Sequence, residues 1–110
     1  MSEHRLGEFE HLVLLALLQQ DGAASGVTIY GELEARLKRV PAVPAVYVTL
    51  ARLEAKGMVT SRMERGGAER AGRRLKLYEV TALGRRVLRD TRHALESLWD
   101  GLQPDYGRRT

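Results

Sequence analysis

Val43-Pro44-Ala45-Val46-Tyr47-Val48-Thr49-Leu50-Ala51-Arg52-Leu53-Glu54-Ala55-Lys56-Gly57-Met58-Val59-Thr60-Ser61-Arg62-Met63, followed across a glycine- and arginine-rich link by Arg74-Leu75-Lys76-Leu77-Tyr78-Glu79-Val80, is the stretch on which the fold turns. Val43, Val46, Leu50 and Leu53 are spaced three or four apart, which predicts a helix from Val43 to Lys56 with one buried face and one free face. Gly57 stops it. Met58 to Met63 carries β-branched residues in rough alternation, and Arg74 to Val80 alternates long apolar with polar residues, as a strand with one face on a core does. Between them Gly66, Gly67 and Gly72 separate Arg65, Arg70, Arg73 and Arg74, the composition of a turn. Helix, strand, basic turn and strand together predict a winged helix: mainly α, with a small β-hairpin.

The charge is concentrated in that hairpin. From Arg62 to Lys76 there are six basic residues against two acidic ones, an excess equal to the +4 of the whole chain. Such a loop suits a phosphate backbone or a minor groove. The helix before it offers Ala45, Val48 and Thr49 on the face expected to be free, with Arg52 further along. Small side chains let a helix sit deep in a major groove.

Outward from this unit, 110 residues make one domain with a modest core. The pI near 9.8 favours a polyanionic partner. With no cysteine there is no disulfide, thiolate metal site or thiol nucleophile, and a reducing cytoplasm is compatible. The apolar run Leu12 to Leu18 is too short to span a bilayer, so no membrane partner is expected. Gly7 to Gln20, with Phe9, Leu12, Val13, Leu15, Ala16 and Leu17, predicts a helix buried on more than one side. Ala23 to Gly26 reads as a short turn in which Ser25 caps a helix to about Lys38, with Val27, Tyr30, Leu33 and Leu37 on one face. Arg39 to Pro44 breaks that helix, and Pro44 fits the first turn of the next.

After Val80, Thr81 caps a last helix expected to reach Leu102. Val87, Leu88, Thr91, Leu95, Leu98, Trp99 and Leu102 repeat along it at threes and fours. A stripe of this length exceeds what a monomer leaves uncovered, so Leu88, Thr91, Leu95, Leu98, Trp99 and Leu102 are expected to form a homodimer interface. The domain reading is therefore a winged helix over residues 1–80, a dimerisation helix over 81–103 and a disordered tail over 104–110. His4, His11 and His93 have no metal-ligand spacing, and no catalytic grouping or cofactor motif is present. No enzyme activity is expected.

Several segments in order resemble the PadR family of transcriptional regulators: Phe9 to Leu18, Ser25-Gly26-Val27-Thr28-Ile29, Ala45 to Val59, Gly72-Arg73-Arg74 with Tyr78, and Thr81-Ala82-Leu83-Gly84-Arg85. The resemblance covers nearly the whole chain. It implies a winged-helix homodimer, paired through its C-terminal helix, that binds a palindromic operator and usually represses. It also implies that the helix matching Val43 to Lys56 reads DNA, with Tyr47 and Thr49 near backbone or bases, and that Arg65 to Arg74 form the wing. Pro44, Ala42 and Leu77 depart from the family pattern, where a small residue, a polar cap and an aromatic are usual. Some relatives respond to phenolic acids or other planar compounds. In multidrug-binding members the stacking tryptophan falls nearer Leu95 than Trp99.

The expected function is sequence-specific binding of double-stranded DNA by Ala45, Tyr47, Val48, Thr49 and Arg52 in the major groove and by Arg65, Arg70, Arg73 and Arg74 at the wing. Two other readings stand beside it. In one, the winged helix is a protein-interaction module whose basic loop docks an acidic partner. In the other, two copies of Trp99 across a dimer axis form a slot for a small aromatic effector.

Overall fold

The periodicity centred on Leu50 produces a helix, but its buried arc is displaced from the one expected. The computed structural model describes residues 5–65 and 74–107, and among them this helix spans Val43–Ala55. It is the third of four: α1 (Glu8–Leu18), α2 (Gly26–Arg36), α3 (Val43–Ala55) and α4 (Ala82–Trp99). Val46, Thr49, Leu50 and Leu53 are the buried residues of α3. Val43, expected in the core, is exposed because it opens the helix at the edge of the domain. Thr49, expected on the free face, is buried because the start of α1 covers that side: Gly7, Phe9 and Glu10 line one cleft with Thr49.

α1 is the hub. It contacts α2, α3, α4 and the sheet, and Val13, Leu14, Ala16 and Leu17 are buried along it, while Leu15 stays exposed. Val13, Leu14, Leu17, Ile29, Val46, Leu50, Leu53 and Met58 are the large side chains wholly removed from solvent. Each stabilises the domain by roughly 1.5–3 kcal/mol relative to exposure. In α2 the inward residues are Ile29 and Leu33, with Tyr30 and Leu37 partly buried against the same core; Val27, expected on that face, points to solvent. The Ser25 side chain caps α2 by accepting from the Thr28 amide at 3.2 Å.

The sheet has three strands where sequence reading anticipates a hairpin alone. β1 (Ala24–Ser25), β2 (Val59–Arg65) and β3 (Arg74–Val80) lie in the order β1-β3-β2, all antiparallel. Ala24 and Ser25, read as a turn, pair with Tyr78 and Leu77. Two residues are too few to show alternation, so only the register reveals the strand. In the hairpin Val59 faces Val80, Ser61 faces Tyr78, Met63 faces Lys76 and Arg65 faces Arg74. This face starts in the core at Val59, Val80 and Tyr78 and emerges into solvent toward Arg65 and Arg74.

α4 springs from the corner where α3 ends. Gly57 turns that corner at φ +80°, a left-handed conformation that side chains resist. Thr81 then clasps it: its amide donates to the Met58 carbonyl at 3.0 Å and its hydroxyl to the Gly57 carbonyl at 2.7 Å, while the same hydroxyl accepts from the Gly84 amide at 3.0 Å. Gly84 is pressed so closely to this corner that a Cβ there would lie 2.4 Å from the Met58 carbonyl oxygen. Val87 and Leu88 still pack in the core, but every residue from Arg92 to Trp99 is exposed. The projecting helix raises the radius of gyration to 16.4 Å, against about 13 Å for a compact chain of this length. α4 ends at Trp99 rather than Leu102. Residues 103–107 form a turn in which the Gln103 amide donates to the Gly107 carbonyl at 2.7 Å, and Tyr106 packs on Trp99 with ring centroids 5.4 Å apart.

Candidate nucleic-acid interface

α3 exposes Pro44, Tyr47, Val48, Ala51 and Arg52 on the side away from the core, with Ala45 half-buried beside them. Tyr47 is 39% and Val48 52% exposed, whereas Thr49 is 4% exposed and has no side-chain surface to offer a groove. Pro44 and Ala51 complete the face. They were missed in the sequence because neither type carries recognition chemistry, although their helical spacing from Tyr47 and Val48 places them there.

Two tyrosines join this face to the hairpin. Tyr78 is buried under the sheet, and burial, with Tyr47 and the Glu54 carboxylate nearby, pushes its phenol above the ordinary value. Ser61 on β2 donates to Glu54 on α3 at 2.7 Å. One residue pair further out, Lys76 reaches over the Tyr78 ring, its Nζ 5.6 Å from the centroid. Lys76 is a cation that sequence reading counted but did not assign. The alternation of β3 places it on the face shared with Tyr78 and Arg74.

The charges of the hairpin separate by face. Arg62 is balanced on the opposite face, 3.6 Å from both Glu64 and Glu79. Arg65, Arg74 and Lys76 form no ion pair among the described residues, nor does Arg52. Arg65 and Arg74 stand directly across the ladder from each other, and like charges so placed are repulsive unless an anion lies between or beside them. Among the described residues the hairpin therefore presents uncompensated positive charge on the side of α3. Arg70 and Arg73, expected to share in it, lie outside the described residues.

Behind α3 lies an ion pair that no sequence pattern announced. Lys56 donates to Glu10 at 2.7 Å and to the Arg5 carbonyl at 2.9 Å, and Glu10 also accepts from the Gly7 amide at 2.8 Å. Burial raises the Glu10 carboxyl. The Lys56 hydrogen bond, the Gly7 amide and the charges of Lys56 and Arg52 outweigh it and bring the group below its ordinary value. This pair fastens the start of α1 to the end of α3.

Along α4 the expected interface residues divide. Leu88 is 6% exposed and belongs to the chain's own core, because α4 is still docked on the domain at that turn. Thr91 is half-buried, and Leu95, Leu98, Trp99 and Leu102 are exposed, Leu98 to 76%. A groove of about 620 Å³ runs between α1 and α4, lined by Leu15, Leu18, Leu88 and Leu95, by the cationic Arg85 and Arg89, and by the ion-paired Arg92 and Glu96. His11 shares this groove, and burial lowers its pKa below the ordinary value. No group of three metal-binding side chains, and no helix long and apolar enough to cross a membrane, occurs among the described residues.

Residues 14–90 match the family model of the transcriptional regulator PadR-like family. Among solved structures, the chain is similar to a PadR-family transcriptional regulator from Eggerthella lenta DSM 2243, with 29% identity, 86% of this chain and 81% of that one covered, and a TM-score of 0.67. It shares its fold with Bacillus subtilis PadR in complex with operator DNA, at 24% identity over 76% of this chain and 46% of that one, TM-score 0.64. It also shares it with Bordetella bronchiseptica BpsR, whose DNA binding is regulated by 6-hydroxynicotinic acid, at 22% identity over 96% and 74% of the two chains, TM-score 0.61. The comparison with curated protein sequences found no match. The winged helix, the projecting fourth helix and the match over residues 14–90 have one meaning: this chain belongs to the PadR-like family of transcriptional regulators.

Proposed function

We propose that the chain is a sequence-specific DNA-binding repressor that acts as a homodimer on a palindromic operator. The observation that carries this reading is the placement of Arg52, Arg65, Arg74 and Lys76, which have no ion-pair partner among the described residues, around an uncharged helix face of Pro44, Tyr47, Val48 and Ala51. In this reading Ala45, Tyr47, Val48 and Arg52 enter the major groove, and the hairpin cations neutralise phosphates. Arg70 and Arg73 join them on sequence grounds. Thr49, buried beneath the helix, takes no part. The operator complex of the Bacillus relative supports the assignment.

Pairing is proposed along the distal half of α4, through Thr91, Leu95, Leu98, Trp99 and Leu102, without Leu88. A twofold axis there would place two α3 helices on successive half-sites, which is why a palindrome is proposed. Repression would follow from occlusion of a promoter in the cytoplasm. An effector could relieve it only by binding one arrangement of the dimer better than another. The ligand-regulated Bordetella protein of the same fold and the largely apolar groove between α1 and α4, with Arg85 and Arg89 on its border, support a small aromatic effector.

The test is fluorescence anisotropy with the duplex upstream of the chain's own gene and a scrambled duplex, across a salt series. Sequence reading predicts native binding that persists at salt concentrations which strip the scrambled duplex. Equal, salt-fragile binding to both would overturn the assignment for that site, and absence of duplex binding would leave the basic hairpin to an acidic protein partner.

A further inference from the structure

Gly26, the first residue of α2, touches the exposed face of α3. A Cβ built there would lie 2.4 Å from Cε1 of Tyr47, 2.6 Å from Cζ and 2.7 Å from the phenolic oxygen. The hydroxyl half of the Tyr47 ring therefore rests on the α-carbon of Gly26, in space that any other residue would fill. Conformation is not the reason for this glycine. Its dihedral angles are helical, unlike those of Gly22, Gly57 and Gly101, which have positive φ. Gly31, five residues on in the same helix, has nothing within 4 Å of a would-be Cβ. One glycine of α2 is thus required by a neighbour and the other is not.

The constraint acts on a side chain at the interface. Tyr47 remains 39% exposed while its ring is held. On one side stands Gly26. Tyr78, whose phenol feels the Tyr47 hydroxyl, pairs with Ala24, the residue before the Ser25 cap of α2. The first turn of α2 thus bounds one side of the aromatic ring that α3 presents outward.

The geometry points to Gly26 as the positioning residue of this regulator: it lets the Tyr47 ring lie against α2 and so fixes where the Tyr47 hydroxyl meets DNA. This role rests on the DNA-binding reading above. Gly26 itself need touch no nucleic acid. A methyl group at position 26 would occupy the space of Cε1, Cζ and the phenolic oxygen, so the distal half of the Tyr47 ring must swing off α2, and its hydroxyl moves with it. A hydrogen bond from Tyr47 to a phosphate is lost in the same way as by truncating Tyr47.

The experiment compares duplex affinity and thermal stability for the full chain and for Gly26→Ala, Tyr47→Ala, Gly26→Ala/Tyr47→Ala and Gly31→Ala. A hydrogen bond to a charged group corresponds to about tenfold or more in affinity, so Gly26→Ala is expected to weaken binding about tenfold, as Tyr47→Ala does. The double variant is expected to bind no worse than Tyr47→Ala alone. Gly31→Ala is expected to leave affinity unchanged and to raise the melting temperature, because alanine is the better helix former. In stability, Gly26→Ala should be harmful when Tyr47 is present and neutral or favourable in the Tyr47→Ala background. That sign reversal keeps the test decisive even where the single variant folds poorly.

Wild-type affinity in Gly26→Ala, or additive losses in the double variant, would overturn the positioning role. Failure of the unmodified chain to bind any duplex would remove the DNA reading and the positioning role with it, while the stability comparison would still decide whether Gly26 and Tyr47 are sterically coupled.

Discussion

Replacing Lys56 by methionine should expose how strongly the start of α1 is tied to α3. Lys56→Met keeps most of the side-chain volume but removes the ammonium that donates to Glu10 at 2.7 Å and to the Arg5 carbonyl at 2.9 Å. Glu10 would retain the Gly7 amide as hydrogen-bond donor. Stripping one partner from a fully buried ion pair costs about 3–5 kcal/mol. Here the Glu10 side chain is 11% exposed but that of Lys56 is 32% exposed, so solvent screening reduces the expected loss to about 2 kcal/mol. In a chain of this size that is roughly 8 °C in melting temperature.

The loss must also depend on pH. In the native chain the folded Glu10 binds its proton less tightly than the unfolded chain does, so its contribution is fully present above the ordinary 4.5 and is lost as the pH falls through the lower folded value. In the variant the desolvation is less well compensated, Glu10 takes up its proton at higher pH, and protonation relieves the cost. Urea unfolding at fixed protein concentration should therefore show a gap between the two proteins that is widest near neutrality and narrows below pH 4.5. A gap under about 0.5 kcal/mol at neutral pH, the size of an exposed surface pair, or one that stays constant into acid and so does not depend on the Glu10 charge, would refute the assignment.

Three further perturbations separate the parts of the molecule. Gly84→Ala should destabilise the fold by about 2–3 kcal/mol, since its methyl would strike the Met58 carbonyl rather than a yielding side chain; an unchanged urea midpoint would show that the corner between α3 and α4 can open. Leu98→Asp should give a folded monomer by sedimentation, whereas Leu88→Asp should unfold the chain, and a dimer that survives the first substitution would place the interface elsewhere. Changing Arg65 and Arg74 together to Ala should lower the slope of log affinity against log salt by about 2 for every duplex tested; an undiminished slope would remove both from the phosphate contacts.

The elements were legible where one face is periodic and the other is not. α3 and the hairpin follow from Val46, Leu50 and Leu53 and from the alternation through Leu75, Leu77 and Val80, and the caps of α2 and α4 were readable at Ser25 and Thr81. Periodicity was blind to the width and direction of a buried arc. Thr49 and Val43 each lie one step from the centre of the stripe, and α1, remote in sequence, decided which of them is covered. Leu88 and Leu98 carry the same side chain in the same repeat, yet only the departure of α4 from the domain makes one a core residue and the other a surface residue. Glu10 and Lys56 are 46 positions apart, a pairing that no local rule could find. Gly26 reads in sequence as a helix start, and its reason is a ring twenty-one residues away.

The Gly57–Met58 corner has a mechanical consequence for the proposed dimer. α3 ends there, β2 begins there, and Thr81 fastens the first turn of α4 to its two carbonyls while Gly84 packs against the second. α3, β2 and the proposed dimer helix α4 therefore meet at one short, doubly hydrogen-bonded junction with no linker between them. A change in the packing of paired α4 helices would be carried to both α3 helices as rigid-body rotation rather than absorbed at a hinge. Because half-sites recur at one helical turn of DNA, about 34 Å, a small rotation about α4 is sufficient to mismatch one of them. An effector would then need no contact with the DNA-binding face: it would only have to favour one packing of α4 over another, and its leverage would equal that difference in affinity.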